Sequence, residues 1–115
     1  MKMNLKHITL ALAALAALAT TTGAQALDAA AAKALASKSA CMGCHAVDRK
    51  MVGPSYKDVA AKHKGQADAV DKVAARIKSG GSGVYGPVPM PAQPNLKPEE
   101  LTLLASWVLA GAPDK

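Results

Sequence analysis

The sequence predicts a single small all-α domain. Apolar residues recur at helical spacing in several separate segments, and glycine or proline stands between those segments. No stretch shows the strict alternation of apolar and polar residues that is typical of a half-buried strand. We find no internal repeat and no boundary of a second domain, so we expect about four helices in one domain.

The first 26 residues have the features of a cleavable secretory signal peptide. Lys2 and Lys6 give a positively charged start, residues 8–19 are rich in Ala and Leu, and Ala24-Gln25-Ala26 supplies a small-x-small cleavage pattern. A membrane anchor would need about 20 apolar residues without such a site. We therefore expect cleavage, a domain at residues 27–115 in the periplasm, and no stable membrane insertion; an uncleaved anchor is the alternative.

The first helix of the domain is predicted over residues 28–40. Asp28 is a suitable N-cap, and the Ala-rich segment after it has high helix propensity. Leu35 is the only sizeable apolar residue of this segment. The helix must therefore pack closely through its alanines.

Three further helices are predicted over residues 56–64, over residues 67–78, and from Pro98 to a stop at Gly111. Between the last two, residues 84–94 hold four prolines around Met90, which excludes a regular helix. The apolar residues at helical spacing are Tyr56, Val59 and Ala60, then Val70, Val73, Ala74 and Ile77, then Leu101, Leu104 and Val108 with Trp107 beside them.

The composition indicates a core built around something other than protein. The chain has no Phe, one Trp and two Tyr, and domains this short often need a disulfide, metal or cofactor to fold. The net charge of +6 falls to about +4 without Lys2 and Lys6. The basic residues are spread along the chain and not grouped with aromatics, so nucleic-acid binding is not expected.

The pentapeptide Cys41-Met42-Gly43-Cys44-His45 matches C-x-x-C-H, the attachment motif of c-type haem. Its two thiols can each form a thioether to one porphyrin edge, and its imidazole can bind the iron. C-x-x-C alone also occurs in redox dithiols, zinc sites and disulfides. A dithiol oxidoreductase is the remote alternative, because the βαβ pattern around such motifs is missing.

Met90 is the candidate for the second axial ligand of the iron. It stands between Pro89 and Pro91 in a stiff loop, whereas core methionines usually lie on regular elements. The alternative is a methionine that only covers apolar surface. The iron would then have an open position, as in a haem enzyme or a sensor that binds a small ligand.

Several ordered segments resemble the small bacterial class I cytochromes c of the cytochrome c-551 and c-552 kind. The resemblance covers essentially all of residues 27–115 and rests on these segments: Cys41 to His45, Met51 to Lys62, Arg76 to Lys78, Gly83 to Pro91, and Trp107 to Leu109. It implies about four helices wrapped around one covalently bound haem c with its iron.

The resemblance also implies roles for single residues. Cys41 and Cys44 carry the thioethers, and His45 and Met90 are the axial ligands. The Pro54 carbonyl accepts a hydrogen bond from the axial histidine. Arg76 and Tyr85 bind a haem propionate. His63, where relatives often have an aromatic, is interpreted as a partly exposed structural histidine and not as a third ligand.

The expected function is single-electron transfer by a monomer that is not an enzyme. A six-coordinate iron has no open position, so it exchanges electrons without binding a substrate. Relatives imply a quinol-oxidising complex as donor and a nitrite reductase, peroxidase or terminal oxidase as acceptor. Lysines near the haem edge would steer docking, and our candidates for them are Lys38, Lys50, Lys57 and Lys78.

Overall fold

The computed structural model describes residues 27–115, so the predicted signal peptide lies outside the described residues. Within them the fold is all-α, as predicted. The helices are α1 (Ala29–Lys38), α2 (Tyr56–Lys62), α3 (Ala69–Ser79) and α4 (Pro98–Leu109), with a 3₁₀ turn at Cys41–Gly43. In this part of the chain an isolated antiparallel bridge joins Gly81 and Met90, and no strand forms. No helix here is long and apolar enough to cross a membrane.

Helix α1 begins and packs as its sequence predicts. The Asp28 carboxylate accepts a hydrogen bond from the Ala31 backbone N–H over 2.9 Å and so caps the helix. Ala32 and Ala36 are fully buried, whereas Leu35 is only half-buried. The close approach of α1 to the rest of the domain is therefore made by alanines.

The predicted ranges of three helices were too long. Helix α1 ends at Lys38 and not at residue 40, because Ser39 forms its C-cap. Helix α2 ends at Lys62 and not at residue 64, because His63 already forms its C-cap. Helix α3 begins at Ala69 and not at residue 67, since a turn with a hydrogen bond from Ala69 N–H to Gln66 O precedes it. Helix ends of this kind depend on local capping that apolar spacing does not report.

Helix α4 is the centre of the core. Its backbone lies against α1, α2 and α3, whereas within the described residues no close backbone contact joins those three helices to one another. Leu104, Ala105 and Trp107 are buried almost completely. The indole N–H of Trp107 donates to the Pro113 carbonyl over 2.9 Å, so its polar atom is satisfied inside the core.

Candidate haem-binding site

The seven site residues predicted from the sequence line one cavity. It encloses about 1140 Å³, including the space open to solvent at its mouth. The seven residues in its wall are Cys41, Cys44, His45, Pro54, Arg76, Tyr85 and Met90. Most of the remaining wall is apolar, with Val59, Val73, Ile77 and Leu104 among its side chains.

The C-x-x-C-H segment reaches the cavity through a tight turn. Ala40 has φ 59°, in the left-handed region, and this ends α1 and redirects the chain into the 3₁₀ turn. The His45 N–H then donates to the Cys41 carbonyl over 3.0 Å, and the Gly53 N–H donates to the Cys44 carbonyl over 2.8 Å. Both cysteines and the histidine thus face the same space from a backbone held on two sides.

The hydrogen bond between His45 and Pro54 determines the tautomer of the imidazole. His45 Nδ1 lies 2.8 Å from the Pro54 carbonyl oxygen. A carbonyl can only accept, so Nδ1 carries the hydrogen and Nε2 keeps its lone pair. An imidazole held in this way presents Nε2 to a metal, and the bond from Nδ1 raises its basicity.

Aromatic packing fixes the plane of the same imidazole. The Tyr56 ring stacks on His45 with centroids 5.4 Å apart and 20° between the planes. Tyr56 in turn meets Trp107 edge-on at 5.3 Å. Gly53 lies against the His45 ring at Cε1 and Nδ1. A Cβ added at Gly53 would overlap Cε1 and would come within 2.8 Å of Nδ1. The site therefore has room for this imidazole only because residue 53 is glycine.

Cys41 and Cys44 are both half-buried free thiols. Burial raises the pKa of the Cys41 thiol above its usual value, and its own backbone opposes this in part. A buried thiol in apolar surroundings is a weak nucleophile. These surroundings do not favour dithiol exchange chemistry, whereas they suit a cysteine that is held against an apolar group.

The Met90 loop is attached to the end of α3 by backbone hydrogen bonds. Met90 and Gly81 exchange two N–H to carbonyl bonds of 2.9 Å each. Gly80 is buried and has φ 64°, and a Cβ there would overlap the Met90 carbonyl oxygen and come within 2.6 Å of Ala92 N. Two glycines after α3 thus bring the Met90 side chain to the cavity wall.

Arg76 and Tyr85 stand together at one side of the cavity. An Arg76 guanidinium N–H donates to the Gly80 carbonyl over 3.1 Å, so this side chain also braces the Met90 loop. The Tyr85 hydroxyl lies 2.5 Å from His63 Nε2. Burial raises the pKa of Tyr85 above its usual value, and the nearby Arg76 charge opposes this.

Sequence reasoning missed four residues of this site: Tyr56, Gly53, Gly80 and Gly81. Tyr56 was assigned to a helix face, and the glycines only to turns. Their roles depend on contacts with residues distant in the chain, which periodicity does not report. The indication that the sequence offered was the run of glycines after α3, because a helix end often requires a residue with positive φ.

The residues present fit a c-type haem. The wall is apolar, two thiols and an imidazole with a free Nε2 face the same cavity, and a thioether sulfur lines it from another loop. These are the donor types that hold haem covalently and bind its iron. In the described residues, no group of three or more His, Cys, Asp or Glu side chains forms a separate metal site.

Comparisons with known proteins agree with this geometry. The sequence profile of the cytochrome c family matches residues 29–112. Cytochrome c-551 of Pseudomonas aeruginosa is 58% identical over 71 residues, which cover 61% of this chain and 66%, just under two thirds, of that protein. Cytochrome c-552 of Hydrogenobacter thermophilus is 53% identical over 76 residues, 66% of this chain and 76% of that protein.

The fold is similar to that of solved cytochromes. The crystal structure of Nitrosomonas europaea cytochrome c552 superimposes with a TM-score of 0.66 at 43% identity, and the match covers 69% of this chain and 98% of that one. The class 1 cytochrome MtoD of Sideroxydans lithotrophicus has a TM-score of 0.65 at 35% identity over 76% of this chain and 100% of that one. The chain therefore belongs to the cytochrome c family, and it is a small electron-carrying cytochrome with one covalently bound haem c.

Proposed function

We propose that this cytochrome is a periplasmic single-electron carrier whose haem iron is bound by His45 and Met90. The observation that carries the proposal is the cavity itself. His45, with Nε2 free, reaches it from the turn after α1, and Met90 reaches it from a loop fixed to α3. Cys41 and Cys44 supply the two thioethers in the same cavity.

When bound, the haem supplies the one-electron Fe(III)/Fe(II) couple. The chain's own residues hold the group rigid and keep water away from it. Pro54 and Tyr56 hold the His45 imidazole in one orientation, and the Gly81 backbone holds Met90. A methionine ligand and an apolar wall both favour the reduced iron, which raises the reduction potential.

A ligand set without an open position supports electron transfer and not catalysis. Met90→Ala tests this directly, because it removes the thioether and leaves the fold of the other residues in place. The absorption band from methionine to ferric iron should disappear, and the reduction potential should fall. Met51→Ala is the matched control, since Met51 is 40% exposed and does not line the cavity. An unchanged spectrum in Met90→Ala would reject the ligand assignment. It would favour the alternative function, a haem enzyme or a sensor with an open position on the iron.

The mouth of the cavity is the proposed docking face for redox partners. Val52 and Val88 line the cavity yet are 54% and 57% exposed. Lys50 lines it as well and is exposed, while Lys38, Lys57 and Lys78 are exposed elsewhere on the surface. An apolar patch with lysine at its rim suits brief docking of a partner with an acidic face.

By likeness to its relatives, we propose a quinol-oxidising complex as donor and a nitrite reductase, peroxidase or terminal oxidase as acceptor. Electron-transfer rates with an acidic partner should fall as ionic strength rises, since screening weakens steering. Lys50→Gln should reduce the low-salt rate, while Lys115→Gln at the chain end serves as the control. Rates that stay flat or rise with salt would reject lysine-guided docking.

The periplasmic location follows from the predicted signal peptide. We expect the mature protein to be recovered from the periplasmic fraction, as a monomer that begins at Leu27 and carries the mass of one haem. Mass spectrometry of that fraction tests the cleavage and the attachment together. Recovery with residues 1–26 in the membrane fraction would support the uncleaved anchor.

A further inference from the structure

His63 stands one hydrogen bond away from the haem cavity. It is the half-buried residue directly after α2, and its Nε2 lies 2.5 Å from the Tyr85 hydroxyl oxygen. The two rings meet edge-on with centroids 6.1 Å apart. Tyr85 lines the haem cavity and also a second recess at the surface, whose wall contains His63. A change at His63 therefore reaches the haem cavity through Tyr85.

The neighbours of His63 determine which ring nitrogen carries hydrogen in the neutral imidazole. Nδ1 lies 3.0 Å from Gln66 Oε1, and the Lys72 ammonium donates to that same oxygen over 3.4 Å. An ammonium group can only donate, so the Gln66 atom is an acceptor and Nδ1 must carry the hydrogen. Nε2 of neutral His63 then accepts, and the Tyr85 hydroxyl donates to it.

Protonation of His63 reverses this hydrogen bond. Both nitrogens of an imidazolium donate, so Nε2–H would donate to the Tyr85 oxygen. The hydroxyl hydrogen of Tyr85 must then turn to another acceptor. Tyr85 lines the haem cavity, so this turn of its hydroxyl changes a polar group in the cavity wall.

We propose that His63 is a positioning residue for the Tyr85 hydroxyl and couples proton binding to the redox state of the haem. The inference rests on the proposed electron-carrier function. Reduction takes one electron from the redox partner and favours uptake of one proton from water at His63 Nε2. Protonated His63 adds positive charge one hydrogen bond from the cavity wall, and this charge favours the less charged, reduced iron. By linkage, the reduced iron favours the protonated imidazole to the same degree.

The charged groups around His63 come from three segments. They are Lys62 and Lys64 beside it in the chain, Asp68, Lys72 and Arg76 on or next to α3, and the Tyr85 phenol in the loop. Among these side-chain types, histidine alone ordinarily changes charge between about pH 5 and 8. The chain has three histidines; His7 lies in the predicted signal peptide, and His45 is the proposed iron ligand. A histidine-dependent change of potential in this range is thus assigned to His63.

The test measures reduction potential against pH in the haem-loaded protein and in His63→Gln. Glutamine keeps an acceptor for the Tyr85 hydroxyl but takes up no proton. The potential of the unaltered protein should rise as pH falls from about 8 to 5, and this rise should be largely lost in His63→Gln. Lys62→Gln is the matched control, because the Lys62 ammonium lies 5.8 Å from the Tyr85 ring centroid. Lys62→Gln removes a permanent charge, so the reduction potential should shift at every pH. The rise of the potential with falling pH should remain.

A second measurement does not depend on electron transfer. Nitrogen NMR of the His63 imidazole should show hydrogen on Nδ1 near pH 8, and at one fixed pH near 6 it should show more protonated imidazole in the reduced protein than in the oxidised one. Equal protonation in the two states, or an undiminished pH dependence in His63→Gln, would overturn the inference. If that happens while the haem spectrum stays normal, this inference fails and the proposed electron-carrier function is unaffected. Loss of the methionine band would instead count against the proposed function.

Discussion

At the residue scale, the His45 imidazole is the most constrained side chain of the site. The Pro54 carbonyl holds its Nδ1, Tyr56 covers its face, and Gly53 leaves the space into which the ring fits. As the proposed axial ligand, an imidazole held in this way would rearrange little when the iron changes charge, which suits electron transfer.

Gly53→Ala should disturb the site strongly for a substitution of one methyl group. The new Cβ would overlap an imidazole that cannot turn aside, since Pro54 and Tyr56 hold it. Overpacking of this kind costs about 1–3 kcal/mol in the free energy of unfolding, measured by urea denaturation of the haem-loaded protein. Gly43→Ala is the control, because a Cβ there meets no atom within 4 Å. Equal stability of the two variants would contradict the tight fit.

The buried phenol of Tyr56 determines in part how the free energy of unfolding changes at alkaline pH. Burial raises the pKa of Tyr56 far above its usual value. The folded state therefore keeps its proton to higher pH than the unfolded state does. The stabilisation is fully present below about pH 10, the usual tyrosine pKa, and is lost as pH rises above it. Unfolding free energies between pH 9 and 12 should fall less steeply in Tyr56→Phe than in the unaltered protein; parallel curves would contradict this.

At the element scale, the end of α3 and the Met90 loop form one unit. Gly80 and Gly81 have positive φ, and the backbone of Gly81 pairs with Met90. Arg76 crosses from α3 to the Gly80 carbonyl, so the same arginine that lines the cavity also braces the loop. The position of the proposed axial sulfur is thus set by a helix end and not by the prolines alone.

Gly80→Ala should weaken ligation by Met90. The added Cβ would overlap the Met90 carbonyl oxygen, and the backbone at φ 64° is unfavourable for alanine. Gly83→Ala is a matched control, because its φ of 99° is also unfavourable but a Cβ there meets no atom within 4 Å. The methionine-to-iron band should be lost at a lower urea concentration or a lower pH in Gly80→Ala than in Gly83→Ala. Identical behaviour would mean that the contact with Met90 is unimportant.

The features that could be predicted from the sequence are those that neighbouring residues define. The stripes of α3 and α4, the cap at Asp28 and the attachment pentapeptide follow from spacing and residue type. The stacking of Tyr56 between His45 and Trp107 brings together segments far apart in the chain, and its distance depends on how α2 meets α4. The hydrogen bond between Tyr85 and His63 likewise joins two segments that spacing alone does not bring together.

At the scale of the whole molecule, the core has an apolar cavity at its centre. The walls come from α2, α3, α4 and the loops, and the buried aromatic side chains among them are those of Tyr56 and Trp107. An unfilled cavity costs roughly 24 cal/mol per Å³, so the cavity volume of about 140 Å³ that compares with such values would cost about 3 kcal/mol if left empty. That is a large share of the stability of a typical domain, about 5–15 kcal/mol.

Replacing both thiols, in Cys41→Ser with Cys44→Ser, should therefore abolish stable folding where haem is absent. We expect helical circular dichroism to be reduced and thermal unfolding to lose its cooperativity, because the walls have nothing to pack against. Cys41→Ser alone keeps one thioether and should unfold cooperatively at a lower temperature. A haem-free double variant with a sharp unfolding transition would contradict a core that depends on the haem.

The central place of α4 has a consequence for how the chain matures. A ribosome or an export channel releases the amino end first, and α1, α2 and α3 have no helix to pack against until the last residues emerge. We therefore expect the chain to stay open during that interval, with the thiols of Cys41 and Cys44 still accessible for attachment to the porphyrin. Because α4 follows the other three helices in the chain, the haem can be attached before the tertiary structure closes over it.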